Sequence, residues 1–98
     1  MQISQLAFDA EPAVLRAGMQ VCESMAAAGG RAHFVGGCVR DALRRQPISD
    51  FDIEVFGLPA ARVREVLERH FAIDLVGAAF GVLKLRGVPV DVALPRAE

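Results

Sequence analysis

Across residues 50–55 the chain reads Asp50-Phe51-Asp52-Ile53-Glu54-Val55, acidic and apolar side chains in strict alternation. In a strand this sends Asp50, Asp52 and Glu54 to one face and Phe51, Ile53 and Val55 to the other. Neighbouring carboxylates on the acidic face stand about 6.6 Å apart at strand rise, near enough to repel, and a divalent cation between them relieves that repulsion. A solvated strand face is the plain alternative, and an isolated Asp-x-Asp does not decide between the two. Two other segments bear on the choice. Upstream, Val35-Gly36-Gly37 closes an apolar run and opens a helical one, so a turn free of side chains sets backbone N–H groups at the positive end of a helix, a seat for phosphate. Paired glycines also serve simply as turns. Downstream, Asp91 lies between Val90 and Val92, and a carboxylate in an apolar strand is costly unless it faces a cation or solvent. Asp50, Asp52 and Asp91 beside Gly36 and Gly37 match the needs of magnesium, which takes one or two carboxylates and completes its shell with substrate phosphates.

Other chemistries find less support. No Gly-x4-Gly-Lys-Ser/Thr loop is present, and counting on from Gly36, the later glycines of a dinucleotide fingerprint would fall on Cys38 and Asp41. His33 and His70 have no partner at metal-ligand spacing, and Cys22 and Cys38 read as buried thiols. The formal net charge is -1, which excludes binding of nucleic acid or membrane by bulk basicity, so a polyanionic partner must be held by a local patch. Of the 11 basic residues only Lys84 is a lysine, a bias ascribed to base composition rather than to a need for guanidinium.

These residues need a frame to hold them. With 98 residues, 53% hydrophobic and 23% charged, the chain is expected to fold as one domain, 1–98, around a single core. Asp9 and Pro12 mark a helix start, and Val14, Ala17, Val21, Met25 and Ala28 recur at helical spacing until Gly29-Gly30. A strand over 32–35, a short helix over 39–45 ended by Pro47, and a strand over 48–56 follow. Residues 60–71 form a second amphipathic helix, with Val63, Val66, Leu67 and His70 on one face and interleaved Arg and Glu on the other, a solvated face rather than an RNA-tracking one. Strands over 73–76, 82–86 and 90–94 end the chain, the last two as a hairpin, and Phe80, between Gly77 and Gly81, reads as a core aromatic rather than as the mark of a mobile loop over the site. The fold class is α+β, a mixed sheet of about five strands with helices on one face.

In this order the residues resemble a known family. Phe34-Val35-Gly36-Gly37-Cys38-Val39-Arg40-Asp41, then Asp50-Phe51-Asp52-Ile53, then Phe80-Gly81-Val82-Leu83-Lys84 and Val90-Asp91-Val92-Ala93-Leu94-Pro95-Arg96, are similar to the head domain of the bacterial tRNA nucleotidyltransferase (CCA-adding) and poly(A) polymerase family, within the DNA-polymerase-β-like nucleotidyltransferases. The resemblance covers about residues 30–97. It implies Asp50 and Asp52 as a metal-binding pair, Asp91 as a third, more variable acid, and Gly36 and Gly37 as the turn that holds the triphosphate. Arg40 and Asp41 match an Arg-Asp pair beside the nucleotide, for which a surface ion pair at a helix start is the alternative, and Arg96 closes the last strand. Glu54 receives no role. The implied reaction is attack of an RNA 3′-hydroxyl on the α-phosphate of ATP or CTP with release of pyrophosphate, aided by two Mg²⁺ ions and with tRNA as acceptor.

Relatives continue into neck, body and tail domains, so the chain is expected to be a head fragment that binds Mg²⁺-nucleotide weakly and has little templated activity. A cytoplasmic protein without membrane spans is expected, with self-association through an uncovered apolar face. The competing readings are a stand-alone minimal nucleotidyltransferase acting on a protein or small molecule, and a non-catalytic self-associating module.

Overall fold

A computed structural model of the chain describes residues 9–95. Helix α1 spans Pro12–Ala27, with proline at its first position, where a missing N–H costs nothing. Its cap is Glu11, which accepts from the Ala13 N–H at 3.3 Å. Asp9, the residue the sequence suggests for the start, instead offers its carbonyl to the Ile48 N–H at 2.7 Å. Then follow β1 (Arg31–Val35), α2 (Gly37–Leu43), β2 (Phe51–Phe56), α3 (Ala60–His70), β3 (Ile73–Asp74), a 3-10 turn over Ala78–Phe80, β4 (Val82–Leu85) and β5 (Val90–Ala93).

The strands form one sheet in the order β1-β2-β5-β4-β3. β2 and β5 run parallel, and the other neighbours are antiparallel, β4 and β5 pairing as the expected hairpin. The class is the expected α+β mixed sheet. β2 begins at Phe51 rather than earlier. Phe51 pairs with Val90, so Asp50 falls opposite Pro89, whose ring nitrogen has no hydrogen to continue the ladder.

Alternation sorts the faces as expected. Phe51, Ile53 and Val55 of β2, Val90 and Val92 of β5 and Leu83 of β4 are buried, and they share one core with Val21 and Met25 of α1, Cys38 of α2, and Val63 and Leu67 of α3. Each fully buried aliphatic or aromatic side chain stabilises the fold by about 1.5–3 kcal/mol. α1 comes close to β1 because position 18 is glycine: a Cβ there would lie 3.0 Å from the Phe34 ring. Phe80 departs from the core reading. It is 87% exposed on the 3-10 turn.

Among the described residues no helix is long and apolar enough to cross a membrane.

Candidate active site

The side chains of interest come from one row across the sheet. Val35 pairs with Asp52, Asp52 with Asp91, Asp91 with Lys84, and Lys84 with Asp74. Register partners project to the same side, so Asp52, Asp91, Lys84 and Asp74 stand on the face opposite the core. Asp52 is half-buried. Burial first, then the charges of Asp91 and Asp50, push its carboxyl above the ordinary carboxylate value, against a smaller downward pull from Lys84. Asp50 sits just outside β2, exposed, with Ser49 Oγ 3.5 Å from its Oδ2. It shares a cavity of about 540 Å³ with Asp91, Lys84, Asp74 and Arg86.

Lys84 is the residue that sequence reasoning left without a role. Its ammonium donates to Asp91 Oδ2 at 3.0 Å, and that hydrogen bond, with the Asp91 charge behind it, raises the pKa of this exposed lysine. The signal lay in the hairpin. A two-residue turn at Gly87-Val88 sets Lys84 opposite Asp91, and a turn one residue longer would set it opposite Val92, so the pairing follows only from the register.

The glycine turn meets the acids at Asp52. Gly36 has φ 71 and ψ -141, and a Cβ there would lie 3.1 Å from Asp52 Oδ2. Gly37 is not equivalent: its added Cβ would meet only Arg40 Nη2 at 3.5 Å. That contact also places the Arg40 guanidinium back over the turn. Arg40 Nε stands 3.7 Å from Asp41 Oδ1, an exposed and loose ion pair. Cys38, buried as expected, donates from Sγ to the Val35 carbonyl at 3.1 Å and lies 3.8 Å from the Asp52 carbonyl, so it fastens α2 to both strands. Burial pushes its thiol pKa up. Cys22 is half-buried, with its thiol pushed up to about 11.

The structure therefore gathers Asp50, Asp52 and Asp91 with Gly36 at one end of β2 and leaves Arg40 and Asp41 on the rim. Arg96 lies outside the described residues. Among the described residues no three His, Cys, Asp or Glu side chains converge on one point as a metal site, and one oxygen of Asp91 is turned to Lys84. The donor chemistry nonetheless suits a hard divalent cation. Asp50 and Asp52 offer only oxygen, and the repulsion that raises the Asp52 pKa is an excess of negative charge that such an ion would relieve.

Residues 32–93, which hold the turn, Asp50, Asp52 and Asp91, match the Poly A polymerase head domain. The chain belongs to that family. A CCA-adding enzyme of Streptococcus thermophilus is 36% identical to this head domain over 87 residues, 89% of this chain and 21% of that enzyme. The solved structure of a CCA-adding enzyme with CTP superimposes at a TM-score of 0.69 and 26% identity, covering 85% of the head domain and 21% of that chain. Another, with ATP, gives 0.68 and 28%, covering 88% and 21%. The head domain thus spans about a fifth of the length of these relatives.

Proposed function

We propose that this head domain carries the nucleotidyl-transfer centre of a CCA-adding type enzyme, moving nucleotides from ATP or CTP to the 3′-hydroxyl of a tRNA with loss of pyrophosphate. The observation that carries the reading is the sheet row itself. Asp52 stands with the bare Gly36 turn on one side and Asp91 on the other, in a fold shared with CCA-adding enzymes solved with CTP and with ATP.

In this reading the backbone N–H groups at Gly36 and Gly37 seat the triphosphate, because no side chain stands between them and the phosphate oxygens. Arg40, already folded over the turn, adds a guanidinium to the same phosphates. Asp41 and Arg96 are assigned beside the nucleotide from their places in the motif. Asp50 and Asp52 would hold magnesium, with Asp91 as third acid once its carboxylate leaves Lys84. Two bound Mg²⁺ ions would lower the pKa of the attacking hydroxyl and neutralise the leaving pyrophosphate. A cytoplasmic setting, where thiols stay reduced, suits the free cysteines Cys22 and Cys38.

The test is a nucleotide titration of the chain followed by ¹⁵N-¹H spectra. With Mg²⁺ present, CTP and ATP should shift the amides of Gly36, Gly37 and Asp52, and Asp52→Asn should abolish the shifts while leaving the rest of the spectrum in place. A spectrum unmoved at millimolar Mg²⁺-CTP and Mg²⁺-ATP would end the reading.

A further inference from the structure

We propose that the C-terminal end of α2, Arg44 and Arg45 with Arg40 one turn before, is a docking surface for the phosphate backbone of single-stranded RNA, a surface that leads the acceptor strand to the turn at Gly36. The inference rests on the function proposed above and supplies what the net charge of -1 demands: a local patch, since bulk charge attracts no polyanion.

The arginines of the chain are not alike. On α3, Arg62 and Arg69 both bond Glu65, and Arg64 bonds Glu68, so that face is neutralised within its own helix. Arg86 shares its cavity with Asp50, Asp74 and Asp91. Arg44 and Arg45 are exposed and make no ion pair among the described residues, as is also true of Arg16 on α1 and Arg31 at the far end of β1. What sets Arg44 and Arg45 apart is their place at the end of the short helix that opens on the glycine turn. Arg40 and Arg44, at i and i+4, share one face of α2 about 6 Å apart along its axis. Together with Gly36 they line a cavity of about 560 Å³. The rest of that cavity is apolar, from Phe34, Val35, Val39 and Leu43, and Arg45 lies just beyond it, so a strand crossing from the glycine turn would meet its phosphates at the guanidinia of Arg40, Arg44 and Arg45 and not on the floor between them.

Arg45 supplies an independent observation. Among the described residues it is the one with positive φ, 56°, that is not glycine, and it ends α2 in the arrangement for which glycine is the usual choice. Its N–H reaches the Ala42 carbonyl at 3.2 Å and the Gln46 N–H reaches that of Asp41 at 2.8 Å. Stability alone favours glycine there. An arginine held in that conformation points to a use for its side chain.

The test pairs Arg44→Ala/Arg45→Gly with a control, Arg62→Ala/Arg69→Ala, and measures anisotropy of a fluorescein-labelled single-stranded RNA 12-mer with a free 3′-hydroxyl from 50 to 200 mM salt. Folding of the first variant is not at risk, because glycine at 45 relieves the backbone and should raise its Tm by a few degrees. Its plot of log K against log salt should be shallower than wild type by about 1.4, at about 0.7 for each phosphate no longer neutralised, while the control keeps the wild-type slope. An unchanged slope in the Arg44/Arg45 variant, an equal loss in the control, or no RNA binding by wild type at 50 mM salt would each overturn the proposal. So would a variant that keeps its RNA slope but loses the CTP shift at Gly36, since these arginines would then serve the nucleotide. Failure of the proposed nucleotide site shows separately, as a wild-type chain whose Gly36 amide ignores CTP.

Discussion

Gly36 and Gly37 stand side by side in the sequence, and only one of them is required by the backbone. At φ 71 and ψ -141 Gly36 occupies a region closed in practice to residues with a side chain, and the missing Cβ is also what lets the turn approach Asp52 Oδ2. Gly36→Ala should therefore cost about 1–3 kcal/mol in urea unfolding, and the folded fraction should lose its CTP-induced shift at Asp52. Gly37 is the first residue of α2, and a methyl there meets only the end of the flexible Arg40 side chain. Gly37→Ala should be neutral or stabilising, by up to about 1 kcal/mol, since alanine favours the helix. Equal losses in both variants would show that the turn is held by something other than the dihedral at Gly36. The sequence marks a glycine turn; it does not distinguish its two members, because dihedral angles leave no trace in residue type when both residues are glycine.

At the level of elements, β2 acts as a divider between core and site. Phe51, Ile53 and Val55 are fully buried while Asp52 and Glu54 are half-buried on the other side. Ile53→Ala should destabilise by about 2–5 kcal/mol, the range for a large-to-small change in a packed interior. Glu54→Gln, one residue away, should stay within about 0.5 kcal/mol, and comparable losses at both positions by urea unfolding would contradict the two-faced strand. This strand was legible because its signal is local: a period of two over consecutive residues. The same holds for α1 and α3, whose apolar spacing and flanking Gly29-Gly30 and Pro59 announce them. Less local facts were not legible. That β5 enters beside β2 and parallel to it depends on a crossover through α3, β3 and β4, and that β2 starts after Asp50 depends on Pro89 arriving opposite. Lys84 could be paired with Asp91 only once the hairpin register was known. Phe80 carried a core-like residue type into a turn where none of the described elements covers it, and hydrophobicity by itself does not say which apolar residues find a neighbour.

For the molecule as a whole, the charged row sets site and stability against each other. Asp52 holds its proton more tightly in the folded chain than in the unfolded one, since burial, and after it Asp91 and Asp50, disfavour the ionised form. Well below the ordinary value of 3.8 both states are protonated and the group contributes nothing. As the pH rises from there through the raised folded value, the unfolded chain releases the proton first, so stability falls; above that value Asp52 carries a constant penalty. Asp52→Asn has no such proton to lose. Its stability relative to wild type should therefore grow as the pH rises from about 4 and then level off at neutral pH, which paired urea titrations across this range would read. The same variant should lose the CTP response, so a gain in stability would accompany the loss of the proposed site, as expected where like charges are held together for a ligand rather than for the fold. Wild type and Asp52→Asn unfolding with parallel pH profiles would mean that neither burial nor the neighbouring acids hold the Asp52 carboxyl above its ordinary value, and the strain ascribed to this end of β2 would be absent.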